Sequence, residues 1–394
     1  MIEFDEALAL LADNVRPLGS EQVELAAAHG RVLAEDVHAL VSSPRRAVSA
    51  MDGFALRDAD ARVGASLRVI GKSFAGHPLP PAFSAGECVR IFTGAALPDG
   101  ADRVIMQENC LADETMMTIV NAFGPGSHVR LAGSDFAEGD LVLKSGTLLD
   151  PRAIVALAGA DRAVVQVAKR PRMVIIATGD ELAPPGRARD DALKIPESVS
   201  FGVAALAREN GGTIEAKLSG SDDLVTLRQL ADKALSIANV VVVTGGASVG
   251  ERDFAKAMFA EQELELLFSK VAIKPGKPVW IGRSQGRWVV GLPGNPGSAM
   301  VTARLFLAPL LGLLQGRSVE DVLDWVPLQA AQIFPIPEGR TTFVRAVLSK
   351  SGLVLLANQD SSAQAPLGKA RWLVRRDPAG KASHCDERML ALAF

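Results

Sequence analysis

The strongest constraint on this chain lies between residues 171 and 317, where short apolar runs alternate with amphipathic ones. MVIIAT (173–178), NVVVVT (239–244) and WVVGLPG (288–294) are too short for helices, and the first two are rich in β-branched residues. Strands apolar on both faces belong to sheets covered on both sides, and such sheets are mostly parallel. TIEAKLSG (213–220) and VWIGR (279–283) read as further strands. Between them stand helical patterns at 200–212, 223–238, 254–263 and 298–316. The alternation predicts a central, mostly parallel α/β/α three-layer domain over 171–317.

The flanking regions read differently. Residues 46–139 carry short apolar runs (LRVIGKSF, ECVRIFTG, RVIMQEN, MMTIV, HVRLAG) separated by Gly, Pro, Asn and Asp, the pattern of a small β domain. Residues 318–394 return to such runs and predict a second one. In residues 1–45 the spacing of Ala7, Leu8, Leu11 and Val15 predicts a helix, and residues 21–37 read as a second. DPRAIVALAGA (150–160) reads as a helix with Asp150 as cap and Pro151 in the first turn. Residues 140–170 are expected to join 1–45 in a discontinuous helical and mixed domain. The fold class is therefore α/β multidomain: the central domain, two small β domains and a helical N-terminal segment.

Composition excludes several functions. With 42 Lys and Arg against 45 Asp and Glu, the net charge of −3 gives no footprint for nucleic acid. Cys88, Cys110 and Cys385 form no CxxC pair and the five histidines no close pair, which argues against a zinc or redox site. The acidic start lacks the form of a signal peptide. The greasiest stretch, LFLAPLLGLL (305–314), is short for a membrane span and contains Pro309. A cytoplasmic protein with no membrane or nucleic-acid partner is expected.

In an open parallel sheet, ligands bind beyond the carboxyl ends of the strands. Three strands here run into unusual loops: GDEL with Asp180 and Glu181, GGASVGERD (245–253) with Ser248 and Asp253, and NPGS with Asn295 and Ser298 opening a helix. None is a dinucleotide fingerprint or a P-loop. IKPGKP (273–278) is the most specific local feature. Two prolines stiffen a loop that offers Lys274 and Lys277 to one oxyanion, and a small tetrahedral dianion matches such short cationic donors. SAMDGFAL (49–56) places Asp52 in a turn. Acids in such loops (Asp52, Asp135, Glu181, Asp222, Asp253) suit a hard divalent ion with a phosphate ligand.

Together these motifs resemble the molybdopterin molybdenumtransferase family (bacterial MoeA and the gephyrin E-domain). The matching stretches are SAMDGFAL, GKSFAG (71–76), RIFTGAALPDGAD (90–102), VIMQE (104–108), ATGDEL (177–182), Thr244 with GGASVGERDF (245–254), IKPGKP and GLPGNPGSAM (291–300). The resemblance implies insertion of molybdate into the dithiolene of adenylylated molybdopterin, with release of AMP and with Mg²⁺ as cofactor. It implies a homodimer with the active cleft between subunits, and the molybdopterin adenylyltransferase as a partner. By the same resemblance, Lys274, Lys277, Ser298, Arg345 and Ser361 bind molybdate. Asp253 and Glu181 join the two lysines as catalytic groups. Glu181, Asp222 and Asp253 face the metal. Asp52, Thr93, Asp135, Gly245, Gly246, Ser248 and Asn295 bind molybdopterin, Asp52 and Thr93 coming from the other subunit.

The sequence departs from the family pattern in places. Val48 and Val199 stand where the family has Asn, GSD (133–135) replaces a GED-like turn, and Asp360-Ser361 replaces a Gly-Ser pair. A Val side chain cannot make the hydrogen bonds of an amide. Two other readings stay open: a catalytically impaired molybdopterin-binding relative or scaffold, and an adenylyltransferase of the related α/β fold.

Overall fold

The computed structural model describes residues 1–79, 82–245, 254–337 and 339–394. The chain divides into two compact units, one of residues 1–21, 30–34 and 166–394, the other of residues 22–29 and 35–165.

The larger unit is built on a six-stranded sheet. Its order is Thr213–Gly220, Arg172–Thr178, Val240–Thr244, Arg287–Leu292, Trp280–Ser284 and Glu265–Ser269. The first four are parallel, and the last two pair antiparallel. Successive side chains go to opposite faces. Met173, Ile175, Val240 and Val242 enter one core with the helix Val199–Glu209 and the closing helix. Val174, Ile176, Val241 and Val243 enter a second core with the helix Leu224–Ile237, whose N-terminus Asp223 caps. The sheet thus has helices on both faces.

The closing helix runs through Pro309 without a break: Pro296–Thr302 and Ala308–Leu314 are α-helical and Ala303–Leu307 forms a π turn. Ala308 N–H donates to Ala303 O, five residues back. Proline in a helix removes a donor and crowds the carbonyl four residues before it; the wider turn relieves that clash. Pro309 therefore does not interrupt the segment as its sequence suggested. Among the described residues this is the one helix long and apolar enough to cross a membrane, and 83% of its apolar window is buried inside the protein, as a core helix requires.

The same unit holds a second sheet, in the order Ile273–Lys274, Thr341–Ser349, Trp372–Arg376, Arg388–Ala393 and Val326–Gln329, with Gly352–Leu355 paired to Thr341–Ser349. Its first strand comes from the cationic loop of the α/β region: Ile273 lies opposite Thr341 and Lys274 opposite Thr342. The helix Phe4–Asn14 also packs here, with Phe4 edge-on to Phe306 and Phe343. Arg375 grips Asp5 through both carboxylate oxygens.

Residues 21–37 are not the second helix their periodicity predicts. Ser20–Glu24 is a strand and Leu25–Ala27 a single 3₁₀ turn. The backbone finds partners elsewhere: Lys169 N–H donates to Gly19 O, Ala168 N–H to Val32 O and Ala34 N–H to Gln166 O, at 2.9, 2.8 and 3.0 Å. Tertiary pairing of this kind overrides a propensity worth a few tenths of a kcal/mol per residue, roughly.

The smaller unit centres on a six-stranded sheet in the order Arg103–Met106, Gly53–Leu56, Glu87–Ile91, Ser66–Ser73, Met116–Ile119 and Cys110–Ala112. Beside it, Leu141–Leu143 pairs with Val37–His38. The helix Pro151–Gly159 begins at Asp150, whose carboxylate accepts the Ala153 N–H at 2.8 Å.

Candidate active site

The parallel strands end level with one another. Ala177 lies opposite Thr244, Thr244 opposite Leu292 and Thr178 opposite Gly220. The chain goes to one side of Arg172–Thr178 for its next sheet strand and to the other for the one after, so a topological switch point opens at this edge. Asp180, Glu181, Asp222, Gly245 and Asn295 all leave from it. Asp180 Oδ1 accepts the Asp222 N–H at 3.0 Å, and Lys194 Nζ donates to Asp180 O. Three expected site residues, Gly246, Ser248 and Asp253, lie outside the described residues. Among the described residues no group of three or more His, Cys, Asp or Glu is placed to hold a metal.

Next to this edge lies a cavity of about 610 Å³. Lys274, Lys277, Ser298 and Ser361 all line it. The loop that carries both lysines is closed by Val271 N–H donating to Lys277 O and Val279 N–H to Gly276 O, each at 3.1 Å. Gly276 has φ +108°, and a Cβ there would meet Thr302 Cγ2 at 2.2 Å, so only glycine lets the loop lie on the closing helix. Ser298 sits in the first turn of that helix, after Asn295 and Pro296.

Arg345 is the most unusual group in this region. It lies on the strand Thr341–Ser349 and is 1% exposed. Its Nη2 donates to Asp360 O at 2.9 Å, while Nε and Nη1 have no hydrogen-bond partner. Burial pulls its pKa down, and Asp360 opposes that. A buried cation with unpaired donors is costly, on the order of 1–3 kcal/mol for each unmet group. Its Nη1 stands 3.1 Å from where a Cβ at Gly297 would be, beside Ser298. The Gly297 N–H donates to Ser361 O at 2.7 Å, and Asn295 Nδ2 to Ser361 Oγ at 3.1 Å. Four chain segments thus meet around the start of the closing helix, and the buried guanidinium lies against it.

Asp52, Thr93 and Asp135 belong to the smaller unit. The Thr93 N–H and O–H both donate to Asp52 Oδ1, at 2.7 and 2.8 Å. Those two bonds, backbone first, hold the Asp52 carboxyl below the usual range. The Asp135 N–H donates to Ser43 O at 3.0 Å, where Ser43 bridges Phe136.

Comparison with known proteins places the chain. Residues 2–160 match the family described as MoeA N-terminal region (domain I and II), and residues 174–312 the one described as probable molybdopterin binding domain. The molybdopterin molybdenumtransferase of Haemophilus influenzae is 36% identical over 320 residues, covering 80% of this chain and 78% of that one. That of Staphylococcus aureus strain MRSA252 is 34% identical over 351 residues, covering 88% and 83%. This chain belongs to the molybdopterin molybdenumtransferase family. The crystal structure of a molybdopterin biosynthesis moeA protein from Pyrococcus horikoshii OT3 matches it with a TM-score of 0.86 at 25% identity over 100% of both chains.

In this molybdenumtransferase-family chain, sequence reasoning missed three residues of the cavity region. Gln359 holds the Arg345 backbone in both directions, accepting its N–H at 3.0 Å and donating to its carbonyl at 2.8 Å. Arg340 and Arg376 line the same cavity and add cations to it. No local motif marks any of the three; Arg376 is one of three arginines in ARWLVRR (370–376), a pattern ordinary for a strand. The departures from the family pattern also find places. Val199 opens the helix Val199–Glu209 and packs into the core, while the Glu197 carboxylate takes the Ser200 N–H and O–H at 2.7 and 2.5 Å. Val48 is half-buried in a short strand opposite Arg130. Asp360 accepts from the Ser362 N–H and O–H, both at 2.8 Å, and so shapes the turn that brings Ser361 to Gly297.

Proposed function

We propose that this chain acts in molybdenum cofactor biosynthesis, inserting molybdate into the dithiolene of adenylylated molybdopterin with release of AMP. The observation that carries this reading is the buried Arg345, with two unpaired donors, beside a cavity lined by Lys274, Lys277, Ser298 and Ser361. A tetrahedral dianion satisfies that guanidinium and both ammonium groups at once, since charge-assisted donors at fixed spacing match its oxygens. The lysines and Arg345 then stabilise the charge that shifts onto molybdate oxygens as two sulfurs bind the metal.

The carboxylates of the sheet edge serve the nucleotide end. Mg²⁺ takes one or two carboxylates plus phosphate oxygens, so it needs no three-residue cage. Asp180, Glu181 and Asp222, gathered at the strand ends, are the right donor type, and Glu181 and Asp222 are assigned to it together with Asp253. Bound there, Mg²⁺ would neutralise phosphate charge. Gly245, Gly246, Ser248, Asn295 and Asp135 are assigned to molybdopterin, and so are Asp52 and Thr93, which come from the partner subunit of a homodimer. The reading includes a cytoplasmic setting and supply of substrate by the molybdopterin adenylyltransferase.

The test is AMP release from adenylylated molybdopterin with and without molybdate. Molybdate-dependent AMP release is expected. Binding of the pterin nucleotide without AMP release would make the chain a non-catalytic relative.

A further inference from the structure

The cavity beside the sheet edge carries more positive charge than one oxyanion uses. Lys274, Lys277, Arg340 and Arg376 all line it, and Asp360 is the one carboxylate among its described lining residues. A single dianion and that carboxylate leave a positive excess, even before Arg345 behind the cavity is counted. The volume of about 610 Å³ also suits a drug-sized ligand better than a lone tetrahedral ion.

Arg376 differs from the other three. It is 7% exposed, and among the described residues no carboxylate pairs with it. The nearby acids, Asp5 and Asp377, go to Arg375 instead. Nη2 of Arg376 donates to Pro335 O at 3.5 Å and to Lys381 O, and Nε is buried without a partner. Nη1 makes no hydrogen bond with a described residue and is not among the sealed atoms. A buried guanidinium met only by carbonyl dipoles lacks the counter-charge that offsets its desolvation.

Strand register sets where it stands. Lys274 lies opposite Thr342 and Thr342 opposite Arg376, so the three form one row with side chains on one face. Two long cations flank a short threonine, with about 10 Å between their Cα atoms from two strand spacings. Arg340 is held over the same strands: its carbonyl accepts the Thr342 O–H at 3.0 Å, and its Nη1 donates to Ile273 O at 3.4 Å. Arg345, three residues beyond Thr342, leaves the opposite face. The cavity therefore has two cationic ends. Ser298, with Arg345 against its helix, marks one; Arg340 and Arg376 mark the other.

We infer that Arg376 and Arg340 form a second anion subsite, which takes the phosphate that stays on the pterin when AMP leaves. The inference rests on the proposed function above and deepens it. In adenylylated molybdopterin one ring carries both the dithiolene and the phosphate arm. A dithiolene at the molybdate end thus brings its phosphate into the same cavity. Arginine suits that group, because a planar guanidinium matches phosphate oxygens in pairs.

The experiment is calorimetric titration of the full-length protein, in excess tungstate, with pterin-6-ylmethyl phosphate and with 6-hydroxymethylpterin. The wild type should bind the phosphate ester at least about tenfold more tightly than the alcohol, the scale of one charge-assisted contact. Arg376→Met should remove most of that preference. Arg340→Met repeats the test at a half-buried residue in case Arg376→Met does not fold. Equal affinity for ester and alcohol in the wild type overturns the inference, as does a preference that survives in the folded variants. Two tungstates per chain with the ester excluded also overturns it, since the subsite then holds free oxyanion. AMP release is read separately. An ester preference that depends on these arginines, in a protein that releases no AMP, refutes the proposed function and leaves this inference standing. AMP release without an ester preference does the reverse.

Discussion

The cavity around Lys274 and the face around Asp52 are built in opposite ways. The cavity draws on residues 273–278, 298, 335–337, 340, 342–344, 355, 359–361 and 376, and behind it lies an arginine that is 1% exposed. The Asp52 face comes from the ends of two neighbouring strands. A site that grips an oxyanion gains from donors that are fixed and desolvated before the ligand arrives. The Asp52 carboxylate is held by one neighbour, the Thr93 N–H and O–H. The first demands long-range assembly, the second only sheet register.

That contrast is breakable. The largest effect is expected at Arg345. Arg345→Met should lower molybdate-dependent AMP release about a hundredfold, the scale of losing a buried charged contact. Its melting temperature should hold or rise, because the substitution removes an unpaired buried cation. A large drop in melting temperature would make Arg345 a structural residue. Next come the two exposed lysines. Lys274→Ala and Lys277→Ala should each raise the molybdate KM about tenfold. The wild-type KM should rise with salt, since exposed charges are screened within about a Debye length. Gln359→Ala should follow, with a stability loss of about 1–3 kcal/mol by denaturant unfolding, because the Arg345 N–H and C=O both lose a partner. A neutral result would mean that the strand holds Arg345 unaided.

The Asp52 face predicts a flat pH profile. The Asp52 carboxyl lies below the ordinary carboxylate value, chiefly through the Thr93 N–H. A group with a depressed folded pKa keeps its charge above that value and loses it only as pH falls through it. The Asp52 carboxylate should therefore stay charged from about pH 7 to about pH 5, read as a constant carboxyl carbon chemical shift by NMR. Thr93→Val should bring the loss to higher pH. The smallest effect concerns thiols. Burial pushes Cys88 up to about 12 and Cys110 up to about 11, and only Cys385 is exposed. Iodoacetamide at pH 8 should label one thiol in the native chain and all three in denaturant.

What the sequence revealed follows the same division. Loops whose chemistry is local were legible: IKPGKP as a two-lysine turn, NPGS as a helix start, the three strand-end loops as one sheet edge. Arg345 and Ser361 came through the family resemblance, because neither stands in a motif that chemistry alone would select. Gln359, Arg340 and Arg376 escaped. Their role depends on which face of a strand or turn meets the cavity, and that is set by pairing between distant segments. The pairing of Lys274 with Thr342 is of the same kind, and it joins regions that the sequence had divided at residue 317. Residues 21–37 were misread because a helical period was present while the backbone partners lay more than a hundred residues away. Pro309 was misread because a π turn can absorb what a strict α-helix cannot.

The most direct measurement is anomalous X-ray scattering from a crystal soaked in tungstate. The account predicts a tungsten peak in the cavity, within hydrogen-bond reach of Lys274, Lys277 and Ser298, with Arg345 behind it. A peak that forms only elsewhere on the protein, with this cavity empty, would contradict it.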